Sequence, residues 1–324
     1  MRFKNKAAIV TGGARGIGYA IAEALAREGA AILVLDPGGA KDGAAEEGSP
    51  AEQAVAQIRA AGGRAVACAE SVADFDACGR AVALCIEQFG SVDIVINNAG
   101  VLRPKMVWNM SQTDWDLVVS VHLKGQFNMI RHAAGHMRER GWGRIINMGS
   151  EAWRGTVGQI NYGAAKGGVF SLTRGCAREL GRYGITVNTV CPAAATRLTM
   201  DDAVKEGFRK RLAAGLITQA RYDQVINMGG PEFVAPFACY LASEEAGHIN
   251  GQAFRVERGM IGIYNEPELR ASLSYPQDRV PSFEELASLV PKSLLQNYTN
   301  PAPRAEPDAG QARAEAATGA AGKS

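Results

Sequence analysis

The sequence predicts an α/β protein built on a doubly wound parallel sheet of about seven strands, with helices on both faces and a C-terminal extension. Three observations carry this. Short β-rich runs alternate with helical patterns as far as residue 264. Most of these runs are apolar almost without interruption, as strands covered on both faces must be. A glycine-rich turn joins the first run to the first helical pattern.

The strands read as residues 7–11, 31–36, 65–69, 92–97, 144–149, 185–191 and 253–256. Between them, helical spacing covers 17–28, 53–61, 76–89, 112–139, 167–183 and 232–242. Such alternation gives right-handed crossovers between parallel strands. Residues 37–50 are rich in Gly, Ala and acidic residues and read as a long loop. From Asn265 the pattern leaves the sheet. Ser282-Phe283-Glu284-Glu285 then matches a capping box before an apolar run through Leu286, Leu289 and Leu294, which predicts a docked helix. Residues 301–324 hold almost no apolar anchors and read as a disordered tail. The expected division is a nucleotide-binding domain over 1–264, an extension over 265–300 and that tail.

Composition excludes several classes. Hydrophobic residues make up 47% of 324, enough for a large core, and a net charge of +2 gives no case for nucleic acid or an anionic membrane. No run reaches the length of a membrane span, and the basic start Met1-Arg2-Phe3-Lys4 leads straight into a strand, unlike a signal peptide. The six cysteines form no C-x-x-C pair and read as reduced, mostly buried thiols of a cytoplasmic protein.

Thr11-Gly12-Gly13-Ala14-Arg15-Gly16-Ile17-Gly18 places glycines where a strand passes into a helix. Glycine permits close backbone approach, and the helix N-terminus offers unpaired N–H groups and a positive dipole end to a pyrophosphate. This makes the fold Rossmann-like. Asp36, at the end of the second strand, suits the ribose hydroxyls and repels a 2′-phosphate, so NAD is favoured over NADP. Arg15 and Lys41 pull the other way, since a guanidinium or ammonium suits a 2′-phosphate.

Tyr162 and Lys166 stand four apart, on one face of a helix. A free phenol titrates near ~10, and a neighbouring ammonium is expected to lower that value. Ser150 lies twelve residues before the tyrosine.

Gly12/Gly16/Gly18, Asn97-Asn98-Ala99-Gly100, Ser150, Tyr162 and Lys166 together resemble the short-chain dehydrogenase/reductase family, over about residues 3–264. Asp36-Pro37-Gly38-Gly39, Glu70-Ser71-Val72, Val121-His122-Leu123-Lys124-Gly125 and Gly158-Gln159-Ile160-Asn161-Tyr162 are similar to the hydroxyacyl-CoA dehydrogenase part of peroxisomal multifunctional enzymes and related bacterial dehydrogenases. The resemblance implies that Ser71 and Val72 line the adenine site. It puts Asn98, Ala99 and Gly100 beside the riboses, and Pro192 and Thr196 beside the nicotinamide. It implies that Tyr162 is the acid/base, that Lys166 lowers its pKa and binds the nicotinamide ribose, and that Ser150 donates to the substrate oxygen. The loop between Ser150 and Tyr162 is one residue shorter than usual. His122 replaces a common asparagine, and is either a proton relay or a helix residue satisfied by a carbonyl. His132 and His136 share a helix face but lack a third ligand, so no metal is expected.

The expected activity is NAD-linked interconversion of a secondary alcohol and a ketone, on a beta-hydroxyacyl-CoA by resemblance, with a hydroxysteroid or cyclic alcohol as the alternative. A non-catalytic NAD-binding regulator is expected to lose Tyr162 or Lys166, and both are present. Residues 199–229 read as a substrate lid, where Lys205, Arg209, Lys210 and Arg211 either meet a CoA phosphate or form a solvated helix face. A homodimer or homotetramer is expected through helices 112–139 and 167–183, because Val169, Phe170, Leu172, Cys176 and Leu180 exceed one core-facing stripe.

Overall fold

The computed structural model describes residues 1–39, 49–196, 200, 202–215, 217–276 and 278–301. Most of the loop after the second strand, with Lys41, lies outside the described residues, as do Thr199 and all but the first residue of the expected tail. The chain divides into two units, Met1–Tyr264 and Asn265–Ser324.

The first unit runs β1 (Ala7–Thr11), α1 (Gly16–Arg27), β2 (Ala31–Leu35), α2 (Pro50–Ala60), β3 (Arg64–Cys68), α3 (Phe75–Phe89) and β4 (Ile94–Asn97). It continues through α4 (Gln112–Val119), α5 (Gly125–Arg140), β5 (Gly143–Met148), α6 (Ile160–Leu180) and β6 (Ile185–Ala193). It closes with α7 (Asp202–Ala213), α8 (Gln219–Ile226), α9 (Ala235–Ala242), β7 (Ala253–Glu257) and β8 (Met260–Ile263). The strand order is β3-β2-β1-β4-β5-β6-β7-β8. All neighbours are parallel except β7 and β8, which form an antiparallel hairpin. Strand order reverses between β1 and β4, the crevice where such sheets bind ligands.

Alternate side chains of each strand enter two separate cores. Ala8 and Val10 of β1 pack under α1, α2 and α9 with Ile21, Leu25, Ile58 and Leu241. Ala7 and Ile9 pack under α3 and α5 with Val82, Met129 and Met137. Leu25 is fully buried, so Leu25→Ala should cost about 2–5 kcal/mol. Local signals fix the helix ends. Asp74 accepts from the Ala77 N–H at 2.9 Å to start α3, and Gly90, at φ +80°, ends it.

Three features differ from the sequence expectation. The helix expected over 112–139 is broken by a π-helical turn at Ser120–Lys124, which holds His122. Helix α6 begins at Ile160, seven residues before the expected start, and so carries both Tyr162 and Lys166. The turn at Gly158, at φ +77°, feeds straight into it, a start signal hidden by glycine-rich sequence. An eighth strand, β8, was not expected; its short run after Gly259 has no alternating polarity. In the second unit, α10 (Phe283–Leu289) has the capping box foreseen, with Glu285 N–H donating to Ser282 Oγ at 3.2 Å. None of its residues is buried.

The five α6 residues that suggested an outer apolar face divide into two buried and three half-buried. Val169 and Phe170 are buried, and Leu172, Cys176 and Leu180 pack against the α3/α5 core. Phe75, Trp115 and Phe127 are exposed, with the Phe75 and Phe127 rings stacked at 6.4 Å, and exposed Trp153 packs on Phe170 of α6 at 4.8 Å. All six cysteines are free, four of them buried and Cys176 and Cys239 half-buried.

Candidate active site

The turn after β1 is held by side chains from the end of β4. Thr11 Oγ1 accepts from the N–H groups of Asn98 (2.9 Å) and Ala99 (3.0 Å). The Asn98 amide donates back to Thr11 O (3.1 Å) and Gly12 O (3.0 Å). Gly12 adopts φ +60°, and a Cβ there would stand 2.8 Å from Ala99 Cα, so only glycine lets the two loops meet.

A cleft opens beside them, walled by Gly12, Arg15, Gly16, Ile17, Asp36, Ser71, Val72, Asn98, Ala99, Gly100 and Thr196. Every residue expected to hold the cofactor is in this wall except Gly18, Tyr162, Lys166 and Pro192. Gly18 lies behind it, where a side chain would strike Asn98 Nδ2 at 2.5 Å. Asp36 lies one residue past β2, and its carboxylate accepts from Ala14 N–H (3.2 Å) and Gly38 N–H (3.0 Å). The carboxylate is thereby fixed at the rim of the cleft. Open backbone at Gly16 and a fixed acid at the rim fit a dinucleotide.

Tyr162 sits in the first turn of α6, and Asn161 sets its position. Asn161 is buried; its Nδ2 donates to Arg103 O and Asp114 O, both at 3.1 Å, while its Oδ1 accepts from Tyr162 N–H at 2.8 Å. The loop carrying Arg103 is pinned by Lys105 against Asp114 at 3.0 Å. Ser111 and Lys105 hold the Asp114 carboxyl down to about 2. Sequence reasoning treated Asn161 as motif context and missed this positioning role; an amide one residue before the tyrosine at a helix start was the available signal.

The Ser150 hydroxyl acts on the Tyr162 phenol from the substrate side, opposing the effect of burial on it. The shortened loop between them is taken up by a 3-10 turn at Glu151–Arg154, with Ala152 N–H donating to Ser150 Oγ at 3.2 Å. Lys166 is buried, donates from Nζ to Met148 O, and lies 5.6 Å from the centre of the Tyr162 ring. Beneath them runs a buried chain from Asn97 to Asn147, Thr173 and Thr189, with links of 2.9, 2.9 and 2.7 Å. It ties β4, β5, α6 and β6 together under the site.

The expected lowering of the tyrosine pKa is not seen. Burial raises the phenol above its ordinary value, and the Ser150 hydroxyl only partly opposes it. Burial also lowers Lys166 to about 8. Desolvation disfavours each charged form and is the largest cause of both shifts.

His122 is buried in the π turn, its ring edge-on to Tyr162 at 4.9 Å. Nε2 lies 2.7 Å from Val101 O and 3.1 Å from Val101 N, so either neutral tautomer finds a backbone partner. Nδ1 is buried with no partner. Burial first, then the Lys166 charge, lower this imidazole to about 3. A neutral ring that clasps Val101 is a positioning group, which weighs against the relay expectation. The ring also occupies the space over Gly100, where a Cβ would meet Cε1 at 2.5 Å.

A second cavity, of about 390 Å³, is lined by Ser150, Glu151, Pro192, Ala193, Asn227, Arg255, Glu257 and Arg258, among others. Pro192 therefore faces this cavity and not the cleft that holds Thr196. Of the expected lid cations, Arg209 is paired with Glu206 at 2.8 Å and Arg211 lies over the Phe208 ring. Among the described residues no group of three His, Cys, Asp or Glu is arranged to hold a metal. His132 packs on Phe75 at 4.3 Å, and His136 meets Ser91 at 3.3 Å.

Residues 6–207 match the family described as short chain dehydrogenase. The chain belongs to the short-chain dehydrogenase/reductase family. It is similar to a hydroxyacyl-CoA dehydrogenase of Mycobacterium tuberculosis, ChsB1, at 36% identity over 83% of this chain and 82% of that one. Peroxisomal multifunctional enzyme A of Dictyostelium discoideum is also 36% identical, over 81% of this chain and 54% of its own. A solved short chain dehydrogenase from Mycobacterium avium superposes with a TM-score of 0.76 at 36% identity, covering 94% of this chain and 99% of the other. This dehydrogenase/reductase is thus an oxidoreductase acting on CH–OH groups, of a family that typically uses NAD(P) and small-molecule substrates. No helix among the described residues is long and apolar enough to cross a membrane.

Proposed function

We propose that the protein is an NAD-dependent dehydrogenase that interconverts a secondary alcohol and a ketone, with a beta-hydroxyacyl-CoA as substrate. The observation that carries the reaction is the buried Lys166 ammonium 5.6 Å from the centre of the Tyr162 ring, with Ser150 acting on the same phenol. A bound nicotinamide dinucleotide supplies the hydride acceptor or donor. Tyr162 takes the alcohol proton in oxidation and returns it in reduction, a contribution of ~10² to 10⁴-fold for a positioned group. Ser150 donates to the substrate oxygen and holds it at the phenol. Lys166 binds the nicotinamide ribose, and an ammonium kept near its own titration point gains or loses charge readily there. His122 holds Gly100 and Val101 against the cleft.

Preference for NAD is supported by the Asp36 carboxylate, fixed by two backbone N–H groups at the rim. The thioester reading is supported by the names of the similar hydroxyacyl-CoA dehydrogenase and multifunctional enzyme. The division at residue 264, a lid over 199–229, cytoplasmic location and homo-oligomer formation belong to the same reading. Exposed Phe75, Trp115 and Phe127 support the oligomer beside the half-buried Leu172, Cys176 and Leu180 of α6. Sedimentation equilibrium at micromolar concentration should give at least twice the 34.3 kDa of one chain; the monomer mass with full activity would sink the oligomer.

The deciding experiment follows NADH formation with beta-hydroxyacyl-CoA thioesters, hydroxysteroids and cyclic alcohols. The thioesters should give the highest kcat/KM. A higher value with ring alcohols overturns the substrate. Binding of NAD without turnover of any of them overturns the enzyme reading.

A further inference from the structure

Tyr162 is placed by an amide whose own position is set from two other segments. Asn161 is buried and fully engaged. Its Nδ2 donates to Arg103 O and Asp114 O, both at 3.1 Å, which uses both amide protons, and its Oδ1 accepts from Tyr162 N–H at 2.8 Å. A carboxamide is planar, so the two carbonyls dictate its tilt, and the tilt dictates where the first turn of α6 sits. The carbonyls come from different segments: Arg103 lies in the loop after β4, and Asp114 in the first turn of α4. Between them runs loop with one 3-10 turn at Val107–Asn109, none of whose residues is buried. That stretch has no core of its own to fix the distance between the carbonyls.

An ion pair spans the gap instead. Lys105 Nζ meets Asp114 Oδ2 at 3.0 Å. Lys105 is two residues from Arg103, and Asp114 supplies both the carboxylate and the second carbonyl. Ser111 donates to the same Oδ2 from its hydroxyl (2.6 Å) and its N–H (3.3 Å), which ties the carboxylate to the start of α4. The Lys105 backbone also bridges Gln159, two residues before Asn161. Loop, α4 and the start of α6 therefore close into a ring around Asn161. The Lys105 side chain is 48% exposed and that of Asp114 8%. With its ammonium half in water, the pair matters more for geometry than for global stability. The cofactor end of the same loop is held separately, by Thr11 on Asn98 and by His122 on Val101.

We propose that Lys105 and Asp114 are positioning residues for the acid/base: their ion pair keeps the Arg103 and Asp114 carbonyls at the separation that Asn161 needs, and so aims the Tyr162 phenol at the substrate oxygen. This deepens the proposed function and rests on its assignment of Tyr162 as the acid/base. Neither residue lines the cofactor cleft, so the effect falls on the chemical step and spares NAD binding. A misplacement of ~1 Å can cost on the order of 10²-fold in rate.

The test uses the full-length protein and its Lys105→Met, Lys105→Arg and Asp114→Asn variants. Methionine keeps the stem and removes the charge, and arginine keeps the charge. Asparagine keeps an acceptor for Ser111 and drops the attraction for lysine. Two readouts are compared: kcat beside calorimetric NAD affinity, and hydrogen exchange of the Tyr162 N–H by NMR. The Met and Asn variants should lose at least ~10-fold in kcat, with NAD affinity within ~3-fold of wild type. Their Tyr162 N–H should exchange at least ~10-fold faster, while amides at the far end of α6 keep wild-type rates. Lys105→Arg should restore both readouts. A tether that is merely structural would instead lower NAD affinity along with kcat, or speed exchange along the whole of α6. Unchanged kcat or unchanged Tyr162 exchange in the Met and Asn variants, an equal loss of NAD affinity, or an arginine that restores neither readout overturns the proposal. If the wild type turns over no alcohol, the proposed function falls, and the exchange comparison alone decides the role of the pair.

Discussion

The two sides of the active site are built from different materials. On the cofactor side the wall depends on close-lying backbone: glycines 12 and 16, the Asn98-Ala99-Gly100 turn, and a carboxylate held by two N–H groups. On the substrate side it is side chain: Ser150, Glu151, Asn227, Arg255, Glu257 and Arg258. A backbone wall depends on steric necessity, since most residues other than glycine do not fit. A side-chain wall tolerates exchange, because each position alters only what it touches. The first suits many chemistries, and the proposed function assigns the choice of alcohol to the second.

The sharpest way to break this contrast is to remove the group that joins the two sides. Tyr162→Phe should leave the fold and NAD binding intact but lower turnover by at least ~10²-fold. Single-turnover kinetics beside calorimetric NAD titration checks both halves. Near-normal turnover would mean that the phenol is not the acid/base.

Next comes the backbone wall. Gly12→Ala puts a side chain at φ +60° and against Ala99 Cα at 2.8 Å. Strain of about 1–3 kcal/mol should appear as weaker NAD binding, ~10-fold or more, with a lower melting temperature. An alanine variant with unchanged NAD affinity would show that the turn need not touch the loop after β4. A smaller effect is expected at the rim. Asp36→Ala should weaken NAD and improve NADP, narrowing their kcat/KM ratio by ~10-fold. A wild-type enzyme that already prefers NADP refutes the role given to Asp36.

The same contrast explains what was legible in the sequence. The glycine turn, Asp36, Asn98 and the Tyr162/Lys166 pair are short-range patterns, and each predicts its own geometry. The doubly wound parallel sheet followed from alternation of strand and helix. What escaped depends on contacts between distant segments. The hydrogen bonds of Asn161 reach Arg103 and Asp114, and Arg255 meets Glu151 across about a hundred residues of chain. The π turn at His122 gave no local signal, because residues 112–139 carry helical periodicity throughout. Pi-helical turns are frequently found at functional sites, and this one delivers an imidazole to Val101. The shift of the tyrosine pKa was misread for a related reason: spacing reveals the charge nearby but not the burial around it.

The smallest effect tests His122 as a clasp against His122 as a relay. The folded protein holds this imidazole at about 3, below its usual 6.5, so the native state keeps it neutral. The unfolded chain binds a proton as pH falls through 6.5. Its contribution to stability is therefore fully present above pH 6.5 and is lost progressively as pH falls toward 3. One proton of difference corresponds to about 1.4 kcal/mol per pH unit within that window. Carboxylates titrate there too, so only the difference between two proteins is informative. Urea unfolding at pH 6.5, 5.5 and 4.5 should give a steeper loss for wild type than for His122→Asn, by up to about that amount per unit. The substituted amide can still meet the backbone of Val101 but cannot take up the proton. The clasp also predicts that His122→Asn raises the KM for NAD more than it lowers kcat, since it loosens Gly100 and Val101 in the cofactor wall. A relay predicts the reverse, a fall in kcat with a changed pH profile and unaltered NAD affinity. Parallel stability curves together with that kinetic pattern would move His122 from the cofactor wall into the proton path.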